Sequence, residues 1–177
     1  MHFSNLFKFC PVCGSENFEP NNIKSKKCKD CGFVYYVNPS AAVAAFILNS
    51  DNELLVCRRA KEPHKGTLDL AGGFVDANET AEQAIEREIK EELNAQLTQT
   101  KYLFSLPNDY EYSKLNVPTL DMFFICELAD YKNITAADDV AECFFIPIDK
   151  IKISDFGLKS IKTAVEMFRN SFIINPN

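Results

Sequence analysis

Apolar runs bounded by polar turns recur along most of the chain, and five of them have the length of buried strands. The five predicted strands are AAVAAFILN (41–49), ELLVCRRA (53–60), QLTQTKYLFSL (96–106), VPTLDMFFICELA (117–129) and VAECFFIPI (140–148). Residues 80–93 show helical spacing instead, and so do residues 154–170, where apolar positions recur at 158, 161, 165 and 168. Strands that alternate with two helices predict an α/β sandwich around a mixed sheet.

The helix predicted over 80–93 carries an unusual group of acidic side chains. Its inner side is apolar, and Thr80 with Gln83 forms a plausible capping box at its start. Three glutamates, Glu88, Glu91 and Glu92, fall within a sector of about 100° on the helix, where like charges destabilise each other. The nearby basic residues, Arg87 and Lys90, are expected to project elsewhere. A bound divalent cation is the expected compensation, and Mg²⁺ prefers oxygen ligands.

The glycine-containing segment AGGF (71–74) precedes this helix and supports the same interpretation. Two adjacent glycines allow the backbone to approach a ligand closely, so the main-chain carbonyl of Gly72 or Gly73 could join the metal shell. Metal-binding carboxylates beside a glycine loop fit phosphoryl chemistry, in which cations bridge phosphate oxygens and activate a water molecule.

The spacing of these residues resembles a known motif. Gly73 is followed after five residues by Glu79, and after seven more by Arg87-Glu88-Ile89-Lys90-Glu91-Glu92-Leu93-Asn94-Ala95. This pattern is similar to the Nudix box of the Nudix hydrolase superfamily. The sequence departs from the box at Asn94 and Ala95, where the family usually has glycine and a bulky aliphatic residue. Asn tolerates the left-handed conformation of a helix C-cap, so the helix end is expected to survive.

The resemblance implies a Nudix α/β/α sandwich and a hydrolase that cleaves the diphosphate linkage of a nucleoside diphosphate derivative. Water would attack phosphorus with Mg²⁺ or Mn²⁺ bound, and candidate substrates are NADH, ADP-ribose and similar dinucleotides or sugar nucleotides. By position, Glu88 and Glu92 are the main ligands, and Glu91 is a further ligand or the general base. Glu79 and Arg87 are expected to form a salt bridge that braces the loop.

Four cysteines near the start of the chain predict a second, smaller unit. Cys10, Cys13, Cys28 and Cys31 form two C-x2-C pairs separated by fourteen residues, and a glycine follows each pair. This spacing indicates a zinc ribbon with one structural Zn²⁺, whereas two disulfides are the alternative. The predicted domains are a ribbon over 1–38 and a Nudix domain over 39–177. The remaining cysteines, Cys57, Cys126 and Cys143, are expected to be buried thiols.

A ribbon ahead of the box resembles the NADH pyrophosphatases of the superfamily, and VNPS (37–40) is also similar to them. That resemblance implies a metal-binding role for Glu142, for which a surface glutamate at a strand entry is the alternative. The SQPWPFP-type segment of that subgroup is replaced here by SLPNDYEYSKLNVPTLDMFF (105–124).

Three further residues are candidates for substrate binding. Tyr110 and Tyr112, expected in a Pro/Asn-rich loop, could stack on a nucleobase or cover a core edge. Arg59, at the end of the second predicted strand, could donate to a phosphate, in which case Arg58 points to the other face.

Composition and charge narrow the function classes. The 177 residues carry a net charge of −6, although residues 1–38 hold five lysines against three acidic residues. An acidic body disfavours broad nucleic-acid binding, no run approaches the ~20 apolar residues of a membrane span, and no secretory signal is evident. We expect a cytoplasmic enzyme with a nucleotide substrate and a possible homodimer. The alternative is a protein of the same fold that senses nucleotides, binds RNA ends or removes their caps.

Overall fold

The computed structural model describes residues 6–112 and 115–174, with backbone only for 172–174. Three short antiparallel strands form the first sheet, in the order β1-β2-β3: β1 (Phe18–Asn22), β2 (Ser25–Cys28) and β3 (Val34–Tyr36). A small core of Cys10, Phe18 and Cys28 lies beneath it. The predicted boundary at 38/39 falls between β3 and the next strand and stays a prediction.

The rest of the described chain forms two further three-stranded sheets and two α-helices. The elements are β4 (Ser40–Ile47), β5 (Glu53–Arg59), β6 (Leu68–Asp69), α1 (Ala81–Leu93), β7 (Leu97–Tyr112), β8 (Leu115–Leu128), β9 (Val140–Pro147) and α2 (Lys159–Ile174). One sheet has the order β4-β8-β7 and is mixed, since β4 pairs with β8 in parallel and β7 pairs with β8 antiparallel. The other, β6-β5-β9, is antiparallel.

Strand β4 shows how the layers are built, because both of its faces are buried. Val43, Ala45 and Ile47 belong to the core cluster that includes the apolar side of α1. Ala44 and Phe46 belong to a second cluster that includes α2. Side chains alternate between the faces of a strand, so the two helices cover opposite faces of the sheets. The predicted α/β/α sandwich with a mixed sheet is therefore confirmed.

Helix α1 begins and ends as its sequence predicts. Thr80 accepts a hydrogen bond from the Gln83 N–H, and the Gln83 side chain accepts one from the Thr80 N–H, which completes the capping box. Asn94 has φ 50° and ψ 34°, the left-handed conformation expected at this departure from the box. No helix among the described residues is long and apolar enough to cross a membrane.

Two expected boundaries were wrong. Strand β7 continues to Tyr112 and pairs with β8 as far as Leu115, so Tyr110 and Tyr112 lie in a long hairpin and not in a loop. The last helix was expected at 154–170 and begins at Lys159. Gly157 lies against the turn at 64–67, where an added Cβ would come within 2.3 Å of the Thr67 hydroxyl oxygen. Phe156 forms a bridge with Leu68, and the Gly157 N–H donates to the Leu68 carbonyl oxygen, so these residues are paired outside the helix.

Candidate active site

Glu92 is the most deeply buried of the three box glutamates, with 7% of its surface exposed. Its carboxylate accepts a hydrogen bond from the Gly72 N–H at 2.9 Å. Burial raises the pKa of Glu92 to about 8, which the Gly72 N–H counteracts and the nearby carboxylates of Glu88 and Asp69 reinforce. No described basic side chain forms an ion pair with it. Glu92 is therefore a buried acidic group whose charge no described basic side chain neutralises.

Arg87 corrects one expectation from the sequence, because its guanidinium does not project away from the glutamates. It donates to Glu88 at 2.8 Å and to Glu91 at 3.1 Å. The same group donates twice to Glu79 at 2.9 Å and once to the carbonyl oxygen of Phe74, so the expected brace between loop and helix is present. A planar fork of five N–H donors can serve several acceptors at once. Arg87 thus relieves part of the repulsion that we had assigned to a cation alone.

The three glutamates fit a divalent cation in chemistry, although they do not form a closed cluster. Within the described ranges, the four cysteines are the one group of three or more metal-binding side chains whose ligand atoms all lie within 4.8 Å of one another. Glu88 and Glu91 are turned toward Arg87, whereas Glu92 keeps a single N–H partner. Mg²⁺ and Mn²⁺ prefer oxygen ligands, and the carboxylates of these three residues can supply them.

The two loop glycines are required by close contacts. Gly72 has φ +147°, and a Cβ there would lie 2.1 Å from the carbonyl oxygen of Val43. A Cβ on Gly73 would lie 2.4 Å from a carboxylate oxygen of Glu88. The Gly73 carbonyl oxygen accepts a hydrogen bond from the Val43 N–H at 2.8 Å, which leaves one lone pair for a metal ion.

Gly73→Ala should therefore lower activity by about 10-fold to 100-fold, because the new methyl group displaces the Glu88 carboxylate and a 1 Å misplacement can cost 10²-fold. The measurement is kcat/KM at saturating Mg²⁺, with thermal unfolding as the check on stability. In a double-mutant cycle, adding Gly73→Ala to Glu88→Gln should cost little more. Fully additive losses would contradict an effect through Glu88.

A cavity of about 350 Å³ adjoins these residues and is lined by both sheets and both helices. Arg59 lies in its wall, where its guanidinium donates to Asp69 at 2.5 Å, to the Pro63 carbonyl and, at 3.3 Å, to the Tyr110 hydroxyl. The Tyr110 ring also packs edge-on against Phe74, at 5.3 Å between centroids. The structure therefore brings Arg59 and Tyr110 together with the box glutamates at one cavity.

Two candidates from the sequence lie elsewhere. Glu142 does not line the cavity, and its carboxylate accepts a 2.5 Å hydrogen bond from Arg58, which points to the other face as expected. Tyr112 is 64% exposed and also lies outside the lining. Asp138 and Asp139 line the cavity instead, and both pair with Lys61. Their adjacent position ahead of β9 was a signal that the sequence analysis did not use.

The lining also includes three buried polar residues that the sequence analysis missed. Asp69, Asn108 and Asp121 are each 7% or 8% exposed. Burial raises the pKa of Asp69, which the Arg59 guanidinium counteracts. Asp121 lies within a predicted strand, where a polar residue among apolar ones was the available signal, whereas Asp69 and Asn108 lie outside the five predicted strands.

The four ribbon cysteines come together as predicted. Cys10 Sγ lies 3.7 Å from Cys31 Sγ, and Cys13 Sγ lies 3.6 Å from Cys28 Sγ. Four sulfurs each at about 2.3 Å from a tetrahedral Zn²⁺ would be separated by about 3.8 Å. The thiols are unbonded to one another, so the disulfide alternative is not the arrangement seen. Elsewhere in the chain, Cys57 and Cys126 are buried as expected, and Cys143 is partly buried.

The fold and the site define a class of protein. The family model for the NUDIX domain matches residues 38–164, so the chain belongs to the Nudix family. The chain is also similar to a NUDIX hydrolase of Nitrosomonas europaea, whose crystal structure is 25% identical with a TM-score of 0.71 and covers 93% of this chain and 91% of its own.

Curated relatives agree with the family. The NAD-capped RNA hydrolase NudC of Vibrio atlanticus is 30% identical over 142 residues, which are 80% of this chain and 48% of the relative. NudC of Vibrio parahaemolyticus is 30% identical over 108 residues, or 60% of this chain and 40% of the relative. The chain spans about half the length of the curated relatives that it matches.

Proposed function

We propose that the protein is a Mg²⁺-dependent or Mn²⁺-dependent hydrolase that cleaves the diphosphate linkage of a nucleoside diphosphate derivative by water attack at phosphorus. NADH, ADP-ribose and similar dinucleotides or sugar nucleotides are the candidate substrates. The observation that carries the proposal is Glu92, a buried carboxylate that lines the cavity beside Glu88 and forms no ion pair with a described basic side chain. A stable fold retains such a group when a metal ion bound in the active protein compensates its charge.

The cation would be held by Glu88, Glu91 and Glu92, with the carbonyl oxygen of Gly73 as a further ligand. When bound, it supplies charge neutralisation at the phosphate oxygens and lowers the pKa of a bound water. Arg87 keeps Glu79 and the Phe74 carbonyl as partners when Glu88 and Glu91 turn away from it, so the loop stays braced.

The remaining side chains have distinct tasks. Glu91 is the most exposed of the three, with half of its side chain accessible, and is suited to take the proton of the attacking water. Arg59 is held in one orientation by Asp69 and Pro63, so its free donors can orient a phosphate without losing much side-chain entropy. Tyr110 places its ring and its hydroxyl group beside Arg59, where they can contact the substrate.

A substrate panel with product analysis tests the proposal. NADH, ADP-ribose, dinucleoside polyphosphates and nucleoside triphosphates are incubated with the protein, with Mg²⁺, with Mn²⁺ and without added metal. Cleavage between the two phosphates of at least one derivative, only when a divalent cation is present, is the expected result. The absence of hydrolysis across the panel with both metals present would refute the proposed function.

Glu91→Gln should lower kcat by about 10²-fold. A general base typically contributes a rate acceleration of about 10² to 10⁴, and the Gln amide cannot act as a base near neutral pH. The matched control is Glu86→Gln on the exposed side of the same helix, which removes the same charge away from the cavity. We expect full activity in the control. Equal activity of both variants would contradict the assignment of Glu91.

The four cysteines would hold one structural Zn²⁺ per chain, which the sulfur separations support.

A second candidate function is removal of a nucleotide cap from an RNA 5′ end, or binding of such an end. The observation that favours it is the similarity to NAD-capped RNA hydrolases. Adding RNA with a 5′ NAD cap to the panel tests it, since preferred release of the capping nucleotide supports this candidate and inertness of the capped RNA argues against it.

A further inference from the structure

Asp121 is a buried carboxylate in the cavity wall that the proposed hydrolysis does not use. Its two oxygens accept hydrogen bonds from the hydroxyl groups of Thr119, at 2.6 Å, and Ser160, at 2.5 Å. Among the described residues it forms no ion pair, since the neighbouring cation, Arg59, pairs with Asp69. Each carboxylate oxygen has two lone pairs, and one on each oxygen is occupied here. The remaining acceptor capacity is available to a ligand in the cavity.

Asn108 provides a second, independent polar group in the same wall. It is 8% exposed and lines the cavity, and its side-chain amide has no hydrogen-bond partner among the described residues. The amide atoms are open to the cavity and not sealed in the core, since no fully buried side-chain nitrogen or oxygen among the described residues lacks a hydrogen-bond partner. Its donors and its acceptor are therefore available to the molecule that fills the cavity.

Strand register places the two groups on one face. Asn108 pairs with Thr119, and Leu106 pairs with Asp121, so Asn108 and Asp121 are diagonal neighbours about 7–8 Å apart on the same side of the hairpin. On the other side of Asp121, its partner on β4 is Ala42, a small residue that also lines the cavity. Leu158, at the approach to α2, adds apolar surface. The result is a carboxylate and an amide on one face of the hairpin, with the small apolar side chain of Ala42 beside the carboxylate.

We infer that Asp121 and Asn108 bind the Watson–Crick edge of a guanine base, so that the preferred substrates are guanosine diphosphate derivatives. Guanine presents two adjacent donors, N1–H and the N2 amino group, next to the O6 acceptor. Asp121 accepts from the two donors, and the Asn108 amide donates to O6. Adenine presents an acceptor at N1, which a carboxylate repels. This inference rests on the proposed function and narrows its substrate class.

The location of Asp121 separates it from the box glutamates. It lies on β8, whereas Glu88, Glu91 and Glu92 lie on α1. A change on β8 alters the base site and leaves Glu88, Glu91 and Glu92 untouched. The alternative is that Asp121 only ties β8 to the start of α2 through Ser160.

GDP-ribose, IDP-ribose and ADP-ribose test the inference, because they differ in the base alone. For the unmodified protein we expect kcat/KM to fall about 10-fold to 100-fold from GDP-ribose to ADP-ribose, the value of one or two hydrogen bonds to a charged group. IDP-ribose, which lacks the N2 amino group, should be intermediate. A preference for ADP-ribose, or equal use of all three, would overturn the inference.

Asp121→Asn separates recognition from structure. The amide can keep its contacts with Thr119 and Ser160, since hydroxyl groups both donate and accept. We expect the GDP-ribose to ADP-ribose ratio to fall about 10-fold or more, whereas a purely structural role would lower both values together and keep the ratio. The matched control is Asp109→Asn, an exposed carboxylate on the opposite face of β7, which should leave the ratio unchanged.

Binding measurements distinguish a failure of the inferred base preference from a failure of the proposed hydrolysis. If none of the three substrates is hydrolysed, the full substrate panel decides the proposed function, and calorimetric titration with GDP and ADP still decides which base is preferred. If Asp121→Asn does not fold, the same titration of the unmodified protein decides. Tighter binding of GDP by about 10-fold or more supports the inference, and tighter or equal binding of ADP overturns it.

Discussion

Replacing Glu92 with Gln is expected to lower kcat by about 10³-fold while making the metal-free protein more stable at alkaline pH. Gln has nearly the same shape and can still accept the Gly72 N–H, so the backbone around Gly72 should keep its conformation. The variant loses the charge that would hold the cation. The activity measurement is kcat at saturating Mg²⁺, with Glu86→Gln as the control for removal of a helix charge. Activity above one tenth of the unmodified value would contradict this role.

The stability half of this prediction follows from the pKa of Glu92, about 8 in the folded protein against an ordinary value of 4.5. Between these pH values the folded protein binds more protons than the unfolded chain, so stability falls as pH rises. Below about pH 4.5 the group is protonated in both states and contributes nothing to this dependence. Glu92→Gln removes the penalty, which is on the order of a few kcal/mol at pH 8.

Urea unfolding at pH 5 and pH 8 without added divalent cation measures this difference. The stability advantage of Glu92→Gln over the unmodified protein should grow between the two pH values. Saturating Mg²⁺ should then stabilise the unmodified protein more than the variant, since a ligand that binds only the folded state stabilises it. A variant that is less stable than the unmodified protein at pH 8 would show that Glu92 is satisfied without a cation.

Loss of zinc should unfold the ribbon. Among its described residues, the core cluster has three buried side chains, Cys10, Phe18 and Cys28, which is too little apolar surface for a separate small fold. Binding of a structural Zn²⁺ contributes about 10–16 kcal/mol in comparable zinc-finger peptides, so a zinc ion held by the four cysteines would supply the folding energy. We expect one zinc per chain in the unmodified protein, and none in Cys28→Ser, with rapid amide exchange over β1, β2 and β3.

Cys143→Ser is the matched control for the zinc prediction, because this partly buried thiol lies outside the ribbon. It should retain one zinc per chain and slow exchange over the ribbon strands. If Cys28→Ser also retained a full equivalent of zinc, the four-cysteine site would be wrong. If the unmodified protein lacked zinc yet showed protected ribbon amides, the metal would not be what holds the ribbon together.

Much of the fold could be predicted because its signals come from residues that are close together in the sequence. The capping box at Thr80 and Gln83, and the C-cap at Asn94, depend on residues within one or two helical turns. The cysteine pairs needed only their spacing. The extent of β7 could not be predicted in this way, since Tyr110 and Tyr112 are held by cross-strand pairing with β8, and their flanking Pro and Asn residues favour turns.

The candidate site was predicted where it lies on one helix and was missed where it depends on long-range contacts. Glu88, Glu91 and Glu92 share a face by helical geometry alone. The contact of Arg87 with Glu79 was expected, but its simultaneous reach to Glu88 and Glu91 depends on where the loop places the Phe74 carbonyl. Asn108 and Asp121 lie on one face of the hairpin because of the register of β7 with β8, which could not be predicted from the sequence.

Ala42 has a consequence for how relatives of this chain can diversify. It pairs with Asp121 between β4 and β8 and lines the cavity, so its methyl group lies beside the base site that we infer. A bulkier residue there would shrink the space for a purine ring and leave the carboxylates of α1 in place. Single substitutions on β4 could therefore change which nucleoside is bound during evolution, while Glu88, Glu91 and Glu92 stay the same.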